Sequence, residues 1–498
     1  MRNWQRSWPV PANFIPSTAE YLRILPELIL TLAGVLIMLL EGMRNENEDS
    51  SLIPAVTLIS IVAAIGASFI SFSNPGTAFH GMIVVDGFAT FFRVLVLVVG
   101  LLAFLSSGPY LSRERAHTGE YWGLLIFSLV GQCIMAAANE LMMIFIGLEI
   151  SSIATYILCG YLRDDKRNNE SALKYFLLGS FATAFFLYGI AWIYGITGST
   201  NLLEIRAALS APSASVSVAL VGTSAALMFV GFAFKISVAP FQVWAPDVYQ
   251  GAPAPVAAFM SAGPKAAAFA ILIRVFMTAF ESVSVRWEPV FWVCALLTMI
   301  VGNFAALAQS NVKRLLAYSS IAHAGYVLVS ITAHNDVGVQ AAMFYLASYA
   351  FMNLGAFAVI THVARRGEQF LRIDDMAGLG YRQPLVAGLM TVFLLSLIGV
   401  PLTGGFFGKF YVFKAALDAN LVWLTILGLL NSAVAAFYYL RLIVVMYMNE
   451  PGESTDTLQP MSAGTSAALW ASAVGTVVLG IFPGFVLDFA GRSAHFVK

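Results

Sequence analysis

The segment FKISVAPFQVWAP, Phe234 to Pro246, decides the fold of this 498-residue chain. It lies in a long apolar run, yet it carries Lys235 and, further on, Pro240. Pro240 has no N–H to give the carbonyl of Ile236, so a helix crossing this point is interrupted. A break beside a cation is tolerated within a membrane only where both face protein or water.

Working outward, the composition agrees with a membrane setting. Of all residues 59% are hydrophobic and 11% charged, against about 25% charged in soluble proteins. Apolar runs long enough to cross a hydrocarbon layer of about 30 Å recur along the chain, and a bilayer requires them to be helices. The fold class is therefore all-α polytopic. A formal net charge of zero gives no reason to expect nucleic acid as a partner. Cys133, Cys159 and Cys294 fall inside apolar helices without a C-x-x-C pair, which reads as packing. The N-terminal stretch lacks a signal-peptide pattern.

The hydropathy pattern predicts fourteen helices, the seventh near 216–238, the eighth near 254–280, the twelfth near 384–416 and the last near 465–489. An even number of crossings puts both termini on one side. That side would hold Arg2, Arg6, Arg206, Arg286, Arg492 and Lys498. The opposite loops hold twelve cations: Arg44, Arg113, Arg115, Arg163, Lys166, Arg167, Lys313, Arg314, Arg365, Arg366, Arg372 and Arg382. The excess marks the cytoplasmic side and sends the termini to the periplasm. The loop at 363–383 is expected to hold at most a short surface helix.

A second interruption stands in IGVPLTGGFFGKFYVFK, Ile398 to Lys414, where Pro401 and the pair Gly404–Gly405 loosen the twelfth helix. Helices 4–8 and 9–13 then form two five-helix units, each with its fourth helix broken. An odd unit length inverts the second unit relative to the first. This divides the chain into N-terminal helices 1–3 (1–120), a first repeat (121–280), a second repeat (281–450) and a final helix (451–498).

Ionisable residues within these helices are Glu149, Lys174, Lys235, Lys265, His323 and Lys409. A central lysine costs about 2.5–3.5 kcal/mol on insertion scales. Lys174 and Lys414, near helix ends, fit snorkelling side chains. Lys235, Lys265 and Lys409 adjoin Pro240, Pro264 and Gly408 and are harder to place in that way. Arg274, Asp86 and Arg93 read as structural. Glu149 sits in MMIFIGLEISSIATYIL, Met142 to Leu158, with Ser152 and Tyr156 on its stripe. His323 shares a stripe with Ser319, Tyr326 and Ser330; a histidine so placed is either a satisfied core residue or a proton shuttle. Burial disfavours an ammonium and a nearby carboxylate restores it, so moving one charge can switch a buried lysine. The series reads as a proton relay. No P-loop, G-x-G-x-x-G motif or cysteine cluster stands in the chain. His80, His117, His323, His334, His362 and His495 offer no pair of same-depth haem ligands.

Three motifs carry a resemblance: WAPDVYQGAPAPVAAFMSAGPKAAAF (Trp244 to Phe269), NVKRLLAYSSIAHAGY (Asn311 to Tyr326) and VPLTGGFFGKFYVF (Val400 to Phe413). Together they resemble the antiporter-like membrane subunits of respiratory complex I, over essentially the whole chain. The PDVYQGAPAPV wording and the fourteen-helix length are closest to the N-type branch. The L type would be expected to carry a long C-terminal helical extension, and the M type a glutamate in place of Lys409.

The resemblance implies two inverted five-helix repeats and proton translocation coupled to NADH oxidation and quinone reduction in other subunits. It assigns Glu149, Lys174, Lys235, Lys265, His323 and Lys409 to the relay. It implies no cofactor on this chain, with NADH, FMN, iron–sulfur clusters and quinone held elsewhere in the complex. The implied partners are antiporter-like subunit M, small subunits such as J and K, the lipid of a bacterial inner membrane and, indirectly, the peripheral arm. Two alternatives stay open: a subunit of a stand-alone sodium/proton antiporter, and a non-conducting spacer of the membrane arm.

Overall fold

A computed structural model describes residues 16–44, 51–116, 119–210, 217–456, 458 and 460–494. Arg2, Arg6, His117, His495 and Lys498 lie outside the described residues. The long helices are α1 (Leu25–Gly42), α2 (Leu52–Phe72), α3 (Gly87–Glu114), α4 (Gly119–Ala137), α5 (Leu141–Cys159), α6 (Lys166–Thr197), α7 (Val218–Ile236), α8 (Ala254–Arg274), α9 (Ser284–Leu307), α10 (Val312–Thr332), α11 (Asp336–Val363), α12 (Pro384–Ile398), α13 (Gly404–Asp418), α14 (Val422–Met448) and α15 (Ala463–Ile481). Among the described residues, thirteen helices are long and apolar enough to cross a membrane. The apolar but shorter α12, followed by α13, falls where the remaining crossing is expected. A small antiparallel hairpin, β1 (Gly76–Ala78) and β2 (Ile83–Val85), precedes α3.

Burial sorts these helices. Every residue of α8 is buried, and α10 and α11 are nearly so. They form the centre of the molecule. By contrast α2, α6 and α14 keep large apolar side chains such as Ile59, Phe181 and Leu430 exposed. Without lipid such faces would be costly, and in a bilayer they are the solvent-facing surface. Small residues let the inner helices approach closely. A Cβ on Gly131 of α4 would stand 2.4 Å from the Gly147 carbonyl of α5.

Both interruptions are present. The α7 helix stops at Ile236, and the chain resumes helix only at the short turn Ala245–Gly251. Ser237 closes α7 in the left-handed region, and the Trp244 indole joins the Ser237 amide in donating to the Phe234 carbonyl, at 2.9 Å. The twelfth crossing divides between Ile398 and Gly404, with Gly399 at φ +97°.

Some boundaries differ from the sequence reading. The last crossing ends at Ile481 and not near 489, because Pro483 cannot continue the helix; Gly484–Ser493 is a separate short helix. The eighth ends in a π-helical turn, Val275–Ala279. The third runs on through Pro109 to Glu114. The 363–383 segment agrees with the expectation and holds only short helical pieces, Arg366–Glu368, Ile373–Met376 and Leu379–Arg382.

Candidate functional site

Each interruption carries one lysine, and each lysine finds a different kind of partner. At the first, Lys235 ends α7 with its side chain 5% exposed. Its ammonium donates to Ser152 Oγ of α5 at 2.8 Å and to the Tyr175 hydroxyl of α6 at 3.0 Å. It also lies 5.4 Å and 5.0 Å from the ring centres of Tyr156 and Tyr175, within cation–π range. Three helices therefore converge on one charge.

At the second, the Lys409 ammonium donates to the carbonyls of Leu397 at 3.0 Å and Ile398 at 2.7 Å, and to Ser432 Oγ at 2.8 Å. These are orphan carbonyls of the α12 terminus. Leu397 is the residue whose partner Pro401 cannot supply. The lysine thus replaces the missing backbone donor. It borders an open cavity of about 520 Å³ between α13 and α14, with Phe406, Phe410 and Leu429 on the wall.

Between the breaks, α10 presents a polar face to the centre. The Lys265 ammonium of α8 donates to the backbone carbonyl of Ser320 at 3.0 Å and also to its hydroxyl. Three residues on, His323 Nδ1 meets the Tyr345 hydroxyl at 2.7 Å and Nε2 the Tyr439 hydroxyl at 3.2 Å. Three further, the Tyr326 ring centre lies 4.9 Å from the Lys409 ammonium. Ser320, His323 and Tyr326 share one face of α10, so this helix joins the surroundings of Lys265 to those of Lys409. The Tyr439 hydroxyl also bonds Ser319.

The remaining candidates sit apart from this line. Glu149 on α5 is half-buried, and the described structure gives it no hydrogen bond or ion pair. It does not touch Lys235; its charge reaches that ammonium only through space. Ser152, three residues later, makes the contact instead. Lys174 is partly exposed and pairs with Glu170 at 2.6 Å and Asp247 at 2.8 Å. Asp247 in turn binds Arg314 at 2.6 Å. Ser330 lies on the same helix, but its hydroxyl donates to the Val327 carbonyl.

Sequence reading passed over Ser320, Tyr345, Ser432 and Tyr439, which hold the candidate side chains. Hydroxyls in mid-helix were the available signal, but their number hides which ones meet a charge. It also passed over Glu368, which accepts from the Lys313 ammonium at 2.7 Å, the Tyr110 hydroxyl at 2.9 Å and the Ala254 amide at 2.7 Å. Asp86 pairs with Arg274 at 3.0 Å, and Glu27 with Arg93 at 2.8 Å. Both pairs tie helices together outside the lysine line. The three cysteines are buried and free of disulfides, and the Cys159 thiol donates to Met260 Sδ at 3.0 Å.

Comparison with known proteins places this geometry. Residues 138–435 match the family described as NADH:quinone oxidoreductase/Mrp antiporter, transmembrane region. The NADH-quinone oxidoreductase subunit N 1 of Solibacter usitatus is 60% identical over 490 residues, covering 98% of this chain and all of that protein. The subunit N of Trichlorobacter lovleyi is 45% identical, covering 95% and 97%. A chain of respiratory complex I from Thermus thermophilus superposes with a TM-score of 0.79 at 35% identity, covering 94% and 99%. A chain of the Mrp complex from Dietzia superposes at 0.83 with 20% identity, covering 96% and 97%, a likeness of fold alone. The chain belongs to the NADH-quinone oxidoreductase subunit N family, the antiporter-like membrane subunits of complex I.

Proposed function

We infer that this chain moves protons across the membrane as part of NADH:quinone oxidoreductase, driven by electron transfer in other subunits. The observation that carries the reading is the α10 face, on which Ser320, His323 and Tyr326 lead from the Lys265 ammonium to the Lys409 ammonium. A charge buried in a membrane without such use would be an expense with no return.

In this reading Lys235, Lys265, His323 and Lys409 each hold a proton in turn. Glu149 acts on Lys235 through space, and Lys174 helps set the charge near Asp247. The hydroxyls of Tyr249 and Tyr349 are buried beside Ser320 without a well-aligned hydrogen bond. Such groups are where a water could bridge Lys235 to the α10 face. The segments 121–280 and 281–450 act as the two inverted repeats. Cofactors of the complex reside on other chains.

The outer face of α5 suggests how partners fit. Glu149 shares its half-exposed setting with the exposed Met142, Ile146, Ile153 and Ile157. A carboxylate there needs cover by another polar chain, which suits small subunits such as J and K. The cavity beside Lys409 suits contact with antiporter-like subunit M. The chain then lies in the bacterial inner membrane with both termini in the periplasm.

The test is NADH-driven acidification in vesicles holding the assembled complex, with Lys265→Gln and Lys409→Gln variants. Both are expected to lose pumping while NADH oxidation by the peripheral arm persists. Wild-type pumping in assembled variants would make the chain a spacer. A strict requirement for sodium would instead favour the cation-antiporter reading.

A further inference from the structure

Trp244 stands between the two halves of the first broken crossing, buried, one residue before the short helix Ala245–Gly251. Its ring lies face to face with that of Tyr175, the centres 4.5 Å apart and the planes 7° from parallel. It also stacks on Phe234 of α7, at 5.1 Å and 28°. Tyr175 is the α6 residue whose hydroxyl accepts from the Lys235 ammonium, and Phe234 precedes Lys235 in the chain. One indole thus touches both an acceptor of the buried charge and the segment that carries it.

The two acceptors of Lys235 are held in different ways. Ser152 is fixed by its own helix, since its hydroxyl hydrogen goes to the Leu148 carbonyl one turn back and its lone pairs face the ammonium. Tyr175 carries its hydroxyl at the end of a long side chain, so a small tilt of the ring moves the oxygen off the ammonium. That ring is clamped by its neighbours. Trp244 lies flat against it, and the Tyr156 ring abuts it at 4.6 Å and 87°. Parallel and T-shaped ring contacts of this kind are directional.

Trp244 is itself held from outside the lysine pocket. The short helix that follows it is bound along one stripe of α6. Asn168 donates to the Gly251 carbonyl at 3.0 Å, Ser171 to the Val248 carbonyl at 2.9 Å, and Lys174 pairs with Asp247 at 2.8 Å. From α10, Arg314 binds Asp247 at 2.6 Å and Gln250 at 3.0 Å. The indole N–H is a second donor to the Phe234 carbonyl, which also receives the Ser237 amide. The ring has no such substitute, because Phe234 lies 6.3 Å from the Tyr175 ring centre.

We propose that Trp244 is a positioning residue for Lys235, acting through its ring by seating the Tyr175 hydroxyl against the ammonium. The proposal rests on the relay reading of Lys235. It gives the short helix a part in proton transfer: a shift of that helix along α6 moves the Tyr175 hydroxyl and changes how well the buried charge is held.

NADH-driven acidification by the assembled complex in vesicles, scored per NADH oxidised, separates positioning from packing. Trp244→Met fills the space without a flat face and is expected to lower pumping several-fold. Trp244→Phe keeps a flat face without the N–H and should retain most of the wild-type value. A several-fold loss in Trp244→Phe would overturn the proposal, and this variant carries the test if the methionine variant does not assemble. In a Tyr175→Phe background, Trp244→Met should lower pumping no further. A further several-fold fall would make Trp244 a packing residue and overturn the proposal. Failure of the relay reading shows separately, as wild-type pumping in Lys235→Gln. The positioning is then judged by a cryo-EM structure of the Trp244→Met complex, in which the Tyr175 hydroxyl is expected beyond hydrogen-bond distance of Lys235 Nζ. A hydroxyl still in place would overturn the proposal at any pumping rate.

Discussion

Lys235 is held by two hydroxyls, and each can be removed without touching the charge. A hydrogen bond to a charged group contributes about 1.5–3 kcal/mol. Ser152→Ala is therefore expected to lower the stability of the assembled subunit by an amount of that order, and to slow proton pumping. Tyr175→Phe should act in the same direction, with the double variant approaching Lys235→Gln. Thermal unfolding of the complex and NADH-driven vesicle acidification read the two effects. Pumping at the wild-type rate in the double variant would remove these hydroxyls from the relay. Glu149, Lys235, Lys265, His323 and Lys409 stood out as candidates because each breaks the apolar pattern around it, whereas Lys174, in a polar helix start, entered the relay only through the resemblance. Their partners did not stand out. Nothing local distinguishes Ser320, which meets Lys265, from Ser330, which bonds its own helix.

The two helix breaks were legible in Pro240 and Pro401, since proline removes a donor wherever it stands. The repair of each break was not legible, because it comes from residues distant in the fold. Gly399 shows the tightness of the second repair. It adopts φ +97°, and a Cβ there would stand 3.0 Å from Lys409 Cδ. Gly399→Ala is expected to cost about 1–2 kcal/mol from backbone conformation alone, and to displace the ammonium. Reduced pumping with normal assembly would be the signature; an unaffected rate would show that the lysine tolerates the shift. Glu368 makes a comparable tie from a short turn, pinning the first amide of α8 and the buried Lys313. Removing one partner of a buried pair typically costs about 3–5 kcal/mol. Glu368→Leu should destabilise the subunit by about that much, and Glu368→Leu/Lys313→Leu should recover most of it. A double variant no better than the single would refute the pair as the cause.

At the scale of the whole molecule, the membrane character and thirteen of the fourteen expected spans follow from composition and hydropathy, which need no tertiary knowledge. Orientation rests on loop cations, and here position in the sequence misleads at one residue. Lys313 falls in a short loop by hydropathy, yet it is 0% exposed and paired with Glu368. Buried cations of that kind carry little weight in setting topology, but the remaining excess still favours termini in the periplasm. Alkaline phosphatase fused after the final residue is expected to be active, whereas a fusion in the 363–383 segment should be silent. The reverse result would invert the chain. A last consequence belongs to the second break. Lys409, when protonated, has three hydrogens, and they meet three acceptors, the Leu397 and Ile398 carbonyls and Ser432 Oγ. A neutral amine has two hydrogens. Release of the proton therefore leaves the two hydrogens for the two carbonyls, and the Ser432 hydroxyl must turn from accepting to donating, its hydrogen meeting the lone pair of the amine. The break works as a valence count, in which the sense of one hydroxyl registers whether the proton is present.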